Sequence, residues 1–467
     1  MKKVSEMLIP RQKRLDTLFY LMIAFALLGP TLGIPLTEGF NLTFFRIAYV
    51  LLAGGIIFRL VTQKNLETSY MYPVRYYAAF FAFWFMYGLL SLSWVMSMGA
   101  ALKYLFYMAF MLPLTLSFPF FLQSEEKLWK AKRVLFWVFA AIIFYAVFES
   151  ITLIHLPPSA FFKTTSASVT SVFTNQNDLA TCITLGLPFL ATALFMLNLQ
   201  KKHKWFIYIT GVLTIYILIA TGSRSNTAFA LPLASLMLII GLPFAVEREK
   251  LTKKNIAKAV AAIVAAVILA NGLSAIFLSE EARNAAKTKL SSTLGFLQDI
   301  KNSAWHVEDG DTGIEKMQTG ESAGVRKWLL INGFKFLQQS HYMGIGAGNV
   351  EPWMDKYGVK VNKVNLHNWW GEVLVNFGVL IFVLYMSLYF WMLWRLWKLA
   401  SRKHSPSLSP MLRWAAYSTM AALTGYFFGG MAPSSAIHFT PMWITYGLGL
   451  AVIALGEAKK AERKESV

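Results

Sequence analysis

Lys363 to Tyr385 read KVNLHNWWGEVLVNFGVLIFVLY, and the reading of this stretch decides the class of the chain. A histidine, an asparagine and a glutamate (His367, Asn368 and Glu372) stand at the mouth of a long apolar run. The run continues to about residue 394. At about 1.5 Å per residue it is long enough to cross the ~30 Å hydrocarbon core of a bilayer. A helix facing lipid needs no polar group at its mouth. His367 is therefore either a chemical group at a membrane surface or only the polar end of a helix, and taken alone it reads as the latter.

The rest of the chain repeats the pattern. Of its 467 residues 56% are hydrophobic, 15% aromatic and 15% charged, against about 25% charged in a soluble domain. Apolar segments at 15–36, 42–61, 76–97, 100–122, 134–156, 178–199, 205–221, 226–246, 256–278, 368–394, 412–431 and 438–456 predict an all-α integral membrane protein with about 12 transmembrane helices. A basic stretch (Lys2, Lys3, Arg11, Lys13, Arg14) precedes the first segment and no small-residue cleavage site follows it, so a retained helix is expected. The single cysteine, Cys182, lies in an apolar run, which excludes a disulfide framework and a cysteine-based metal site. The net charge of +20 lies between the apolar runs, where it sets topology and meets anionic headgroups rather than nucleic acid.

Basic and nearly uncharged connections alternate. Lys127, Lys130, Lys132 and Arg133 belong to one basic connection, Lys201, Lys202 and Lys204 to the next, and Arg395, Lys398, Arg402, Lys403 and Arg413 to a later one. By the positive-inside rule both termini are expected in the cytoplasm. The expected organisation is nine transmembrane helices over 1–278, a large extracytoplasmic loop over 279–367, three further helices over 368–456 and a cytoplasmic tail over 457–467. The loop shows helical patterning near 280–300 and at 324–340.

On this reading the unusual polar residues collect outside. Asn175, Asn177 and Asp178 precede the sixth helix; Arg224 sits in TGSRSN; Arg326 lies in the large loop, which His367 and Asn368 close; Arg46 and Lys103 lie about one turn below the outer surface. Intramembrane ionisable residues usually face a protein interior or a water-filled cavity, so one outward-opening polar cavity is expected. Each also has a plainer reading. Arg46 and Lys103 can snorkel to headgroups, Arg224 can end a helix in a tight turn, Asn175 and Asp178 can cap the sixth helix, and His367 and Asn368 can cap the tenth. The glycine-rich HYMGIGAGNV, His341 to Val350, lacks the βαβ context of a nucleotide loop. It reads as a turn bringing backbone N–H groups to an anion or a neighbouring helix. EDGDTG, Glu308 to Gly313, lacks a fuller ligand set and reads as a solvated turn, so no metal site is expected.

The order FTNQND, TGSRSN, GVRKW, HYMGIGAGN and LHNWWGEVLVNFG resembles the O-antigen ligase and Wzy-type polysaccharide polymerase family. Within it the pattern is most similar to the teichuronic acid biosynthesis polymerase of Gram-positive cell walls. The resemblance covers the chain in outline and about residues 170 to 385 in motif. It implies a glycosyltransferase C-like membrane fold in the bacterial cytoplasmic membrane with an extracytoplasmic active site. The implied donor is an undecaprenyl pyrophosphate-linked glycan, its reducing-end sugar joined to a glycan acceptor hydroxyl without metal or cofactor. Other cell-wall polysaccharide assembly proteins are candidate partners. The implied roles are His367 as general base and Arg224 and Arg326 as pyrophosphate ligands. Arg46, Lys103, Asn175, Asn177, Asp178, Asn368 and Glu372 line the substrate site, with Asn368 or Glu372 as candidates to orient the histidine. Lys356, Lys360 and Lys363 would suit an acidic glycan. A ligase, a flippase of lipid-linked sugars and a non-catalytic scaffold are the competing readings; the one-sided collection of polar residues favours the enzyme.

Overall fold

The protein's structure, a computed structural model, describes residues 12–37, 40–63, 68–280, 283–284, 322–359, 363–433 and 437–465. The helical pattern across 285–300, the acidic turn at 308–313 and Lys360 lie outside the described residues. The helices are α1 (Gln12–Leu28), α2 (Phe44–Gln63), α3 (Arg75–Leu90), α4 (Met98–Phe121), α5 (Glu125–Thr152), α6 (Gln176–Met196) and α7 (Lys201–Thr221). They continue as α8 (Leu231–Ala245), α9 (Lys253–Phe277), α10 (Ser322–Gln339), α11 (Val350–Tyr357), α12 (Trp369–Ala400), α13 (Pro410–Gly429) and α14 (Thr440–Glu465). Among the described residues, ten helices are long and apolar enough to cross a membrane. The chain is a multi-pass helical membrane protein.

The first and eleventh expected segments form α1 and α13, which are outside that set of ten. Helix α1 stops at Leu28 rather than near 36, because Gly29 turns left-handed (φ +62°) and Pro30 has no N–H to continue the ladder. The chain then forms a short antiparallel hairpin, β1 (Gly33–Thr37) with β2 (Phe40–Thr43), with Gly33 opposite Thr43. Helix α13 is nearly all buried, including Arg413, Ser418 and Thr419. It packs on α6, α8, α12 and α14, so protein rather than lipid surrounds it and its side chains need not be uniformly apolar. Helices α2 and α9 are peripheral, each with 17% of its apolar window buried, whereas the α14 window is 89% buried.

Helix α12 is broken at Gly378 (φ 78°, ψ 178°). The glycine-rich turn fits into the break. Ile345 N donates to Val375 O (3.0 Å) and Gly346 N to Asn376 O (2.9 Å), while Val379 N, freed from the helix, donates to Tyr342 O (3.0 Å). Two of the turn's N–H groups therefore go to a neighbouring helix, while Gly344 N goes to Ser340 Oγ and Ala347 N to Ser91 Oγ (both 3.1 Å). Asn349 completes the clamp, taking Ser97 N at 2.7 Å and donating its own N–H to Asn376 Oδ1 at 3.1 Å. A small second core, with Leu329, Phe336, Ile345, Val350, Leu366 and Val375, fastens α10 and α11 against α12.

Candidate active site

Sequence fixes the start of α12 tightly. Asn368 Oδ1 accepts from Trp370 N (3.1 Å) and Gly371 N (3.2 Å), so Asn368 is the N-cap. Trp369 is fully buried; its N donates to Gly430 O (2.8 Å) and its Nε1 to Tyr385 Oη (2.8 Å). Trp370 Nε1 donates to Phe427 O at 2.7 Å. Directly before this anchored pair, His367 takes a left-handed backbone (φ 49°), and its half-buried ring carries a buried Nδ1 with no hydrogen-bond partner among the described residues.

Two cations, Arg326 and Lys363, act on that ring. Arg326, on α10, donates from Nη1 to Ser225 Oγ at 3.0 Å. Ser225 follows Arg224 and opens a π-helical turn, Ser225–Ala230, that runs into α8. Burial and the neighbouring Arg224 hold the Arg326 guanidinium below its ordinary range, and burial lowers Arg224. The imidazole of His367 is pushed down to about 4 by burial first, then by Arg326 and Lys363. His367, Arg326 and Arg224 thus form one electrostatic cluster at one end of the bundle.

The turn carrying Arg224 is pinned from behind. Gly222 closes α7 with φ 59°. The fully buried Asn226 donates to Thr181 Oγ1 (3.1 Å) and Ser223 Oγ (3.1 Å), and accepts from Thr184 Oγ1 (2.8 Å). Every polar atom of its amide is engaged, so the turn is locked to α6. Ser225 and Asn226 had no role in the sequence reading, although TGSRSN contains both.

The start of α6 belongs to a second group. Asn175 is its cap, with Oδ1 accepting from Asn177 N (2.9 Å) and Asp178 N (3.1 Å) and Nδ2 donating to Asp178 Oδ2 (2.9 Å). Arg46, Asp178 and His438 line a cavity of about 230 Å³. His438, missed by the sequence reading, is pushed down to about 4 by burial, then by Lys103 and Arg46. Lys103 itself is exposed, in keeping with a snorkelling side chain. Arg46 lies over the rings of Phe106 (5.2 Å) and Tyr107 (6.0 Å). The expected single cavity is therefore two neighbouring groups. Tyr426 stands between them, within electrostatic reach of Asp178 and Glu372. Glu372 lies beside Tyr104 and Asn368 is committed to its cap.

A buried carboxylate also missed from sequence holds the preceding loop. Glu149, 1% exposed, accepts from Thr170 N (2.9 Å) and pairs with His155 Nδ1 (2.7 Å). Among the described residues no group of three or more His, Cys, Asp or Glu is arranged to hold a metal ion.

Residues 209–386 match the family model for O-antigen ligase. This stretch is similar to the O-antigen ligase family. It contains Arg224, Arg326, His367, Asn368 and Glu372, whereas Arg46, Lys103, Asn175, Asn177 and Asp178 lie outside it. Over 452 residues the chain is 25% identical to the teichuronic acid biosynthesis protein TuaE of Bacillus subtilis (strain 168), covering 95% of this chain and 85% of that protein.

Proposed function

We propose that the protein polymerises repeat units carried on a lipid (undecaprenyl) pyrophosphate into a cell-surface or cell-wall polysaccharide, teichuronic acid-like, at the outer face of the cytoplasmic membrane. The observation that carries this is the convergence of His367, Arg224 and Arg326 within the stretch that matches the O-antigen ligase family model. The acceptor hydroxyl attacks the anomeric carbon of the donor sugar. A new C–O glycosidic bond forms as the bond to the pyrophosphate oxygen breaks, and the lipid pyrophosphate leaves with the electron pair. His367 takes the hydroxyl proton; as a neutral imidazole with an unbonded ring nitrogen it is ready to accept one. The two guanidiniums hold the leaving group's growing charge in a site shielded from water. In this reading they do so without a metal ion.

The bound donor also tunes the base. Unneutralised, Arg326 disfavours imidazolium; a pyrophosphate on the arginines cancels that field and raises the affinity of His367 for the proton. The test is reconstitution with lipid-pyrophosphate-linked repeat units. His367→Ala should abolish chain extension, Arg224→Ala and Arg326→Ala should each cut it by about a hundredfold, and a chelator should leave the wild type unaffected. Extension surviving all three substitutions in folded protein would sink the mechanism. Transfer to a different acceptor with no chain growth would make the protein a ligase built on the same site.

A further inference from the structure

A cavity of about 680 Å³ lies between α5, α6, α7, α13 and α14, toward the other end of the bundle. Helix α7 carries Lys202 and His203 in its first turn, and Arg224 follows its last. The 22 residues from Lys202 to Arg224 separate the two ends by about 33 Å at 1.5 Å per residue. Along α6 the cavity wall runs from Cys182 to Leu197, about 22 Å of helix. That is more than the ~15 Å half-thickness of the hydrocarbon core. Everything α6 contributes to this wall is apolar. The basic lining residues come from two helices: Lys132 and Arg133 from the second and third turns of α5, and Lys202 and His203 from the first turn of α7.

Lys132 is the decisive residue. It is 7% exposed, and its Nζ has no hydrogen-bond partner among the described residues. The ammonium instead lies 3.9 Å from the Trp414 ring centroid and 5.1 Å from that of Phe189. Aromatic faces attract a cation but offer less than an anion does in such a setting. An unpaired ammonium at the inner end of a basic rim, heading an apolar slot, is complementary to a lipid phosphate followed by a hydrocarbon chain.

We propose that this cavity binds one anionic phospholipid. Its acyl chain lies along α6, and its phosphate sits on Lys132 with Arg133 and Lys202 flanking it. A lipid whose phosphates occupy the His367 cluster cannot also place them on Lys132, so this site is separate from a donor site there. The occupant is a resident of the leaflet at the opposite end.

The test uses full-length protein stripped of lipid in detergent. Native mass spectrometry should show one phosphatidylglycerol retained per chain. Added phosphatidylglycerol should raise Tm by several degrees through binding to the folded state, while phosphatidylcholine and inorganic phosphate should not. Lys132→Met should abolish the phosphatidylglycerol-specific rise. Arg133 and Lys202 are exposed, so the pair Arg133→Gln with Lys202→Gln preserves folding if Lys132→Met does not; it should weaken phosphatidylglycerol binding at least about threefold, the direction expected on removing two headgroup contacts. The proposal is overturned by equal responses to the two lipids, by stabilisation with phosphate alone, by an undiminished response in the variants, or by retention of a polyprenyl phosphate in place of phospholipid.

Discussion

His367 sits where three constraints meet: a left-handed backbone, a capped helix directly after it, and two cations, Arg326 and Lys363, nearby. Residues other than glycine held left-handed cost about 1–3 kcal/mol and persist only where the surroundings fix them. The Asn368 cap and the buried Trp369 supply that fixation. Replacing Asn368 with alanine should cost about 1 kcal/mol of stability and reduce chain extension by more than that loss explains, because the His367 ring loses its support; comparing Tm with turnover separates the two effects. The pH behaviour follows from the depressed pKa values. His367 and His438, each pushed to about 4, are neutral in the fold above the ordinary 6.5. As pH falls from 6.5 toward 4 the unfolded chain takes up protons first, so stability is lost across that window. His438→Gln should therefore show a shallower fall of Tm between pH 6.5 and 4 than the wild type; equal slopes would remove His438 as a contributor. For catalysis, Arg326→Met removes a cation that holds His367 down. The acid limb of kcat/KM, which reports the free enzyme, should move up toward 6.5 as the rate falls. That Arg224, Arg326 and His367 lie close enough to act on one another in series agrees with their placement on connections expected to share one side. His438 was not legible, since nothing in APSSAIHF shows that Arg46 and Lys103 approach it.

At the scale of elements, the break in α12 at Gly378 matters more than any single span. Two carbonyls that lose their helical donors are satisfied by the inserted turn, and the turn's own carbonyl receives Val379 N. Backbone groups at membrane depth must be paired within the protein, and here the pairing joins α12, α3 and α4 to the loop that leads to His367. A Cβ on Gly344 (φ +91°) would lie 2.5 Å from Gly378 N and 2.6 Å from Asn376 O, both backbone atoms. Gly344→Ala should therefore cost at least about 2 kcal/mol, from strain added to steric conflict, read as a lower Tm in detergent and accelerated proteolysis near residue 342. A Tm within a degree of wild type would mean that the turn is not the clamp described here. The apolar runs made most helices legible, because length and hydropathy are properties of contiguous residues. The clamp was not, since its partners are dozens of residues apart in sequence. The same holds for Glu149, whose partners Thr170 and Ser171 return from beyond the helix it belongs to.

Across the whole molecule, charge that reads as topological in sequence divides into three kinds. Some basic residues are solvent-exposed, as with Arg133 and Lys202. Lys132 is buried with no hydrogen-bond partner for its Nζ among the described residues. Arg395, 5% exposed, meets Glu457 of α14 through Nη2 (2.6 Å) and Nε (2.8 Å) and donates to Pro73 O (2.7 Å). That two-pronged pair joins the far ends of α12 and α14, so the basic connection after α12 and the last turns of α14 share one end of the bundle. His367 opens the other end of α12. At about 1.5 Å per residue, the 32 residues of α12 span about 48 Å, enough to reach beyond both headgroup layers of a bilayer. The two ends should therefore face opposite sides of the membrane, with the His367 end outward by the alternation of loop charge. The lone cysteine, Cys182, is buried, so single cysteines introduced at exposed Lys356 and Lys403 report each end separately. A membrane-impermeant maleimide should label Lys356→Cys in intact cells, and Lys403→Cys only after permeabilisation. Labelling of both in intact cells would break the two-sided arrangement, and the reverse pattern would place the His367 cluster in the cytoplasm, where an outer-face polymerase could not operate.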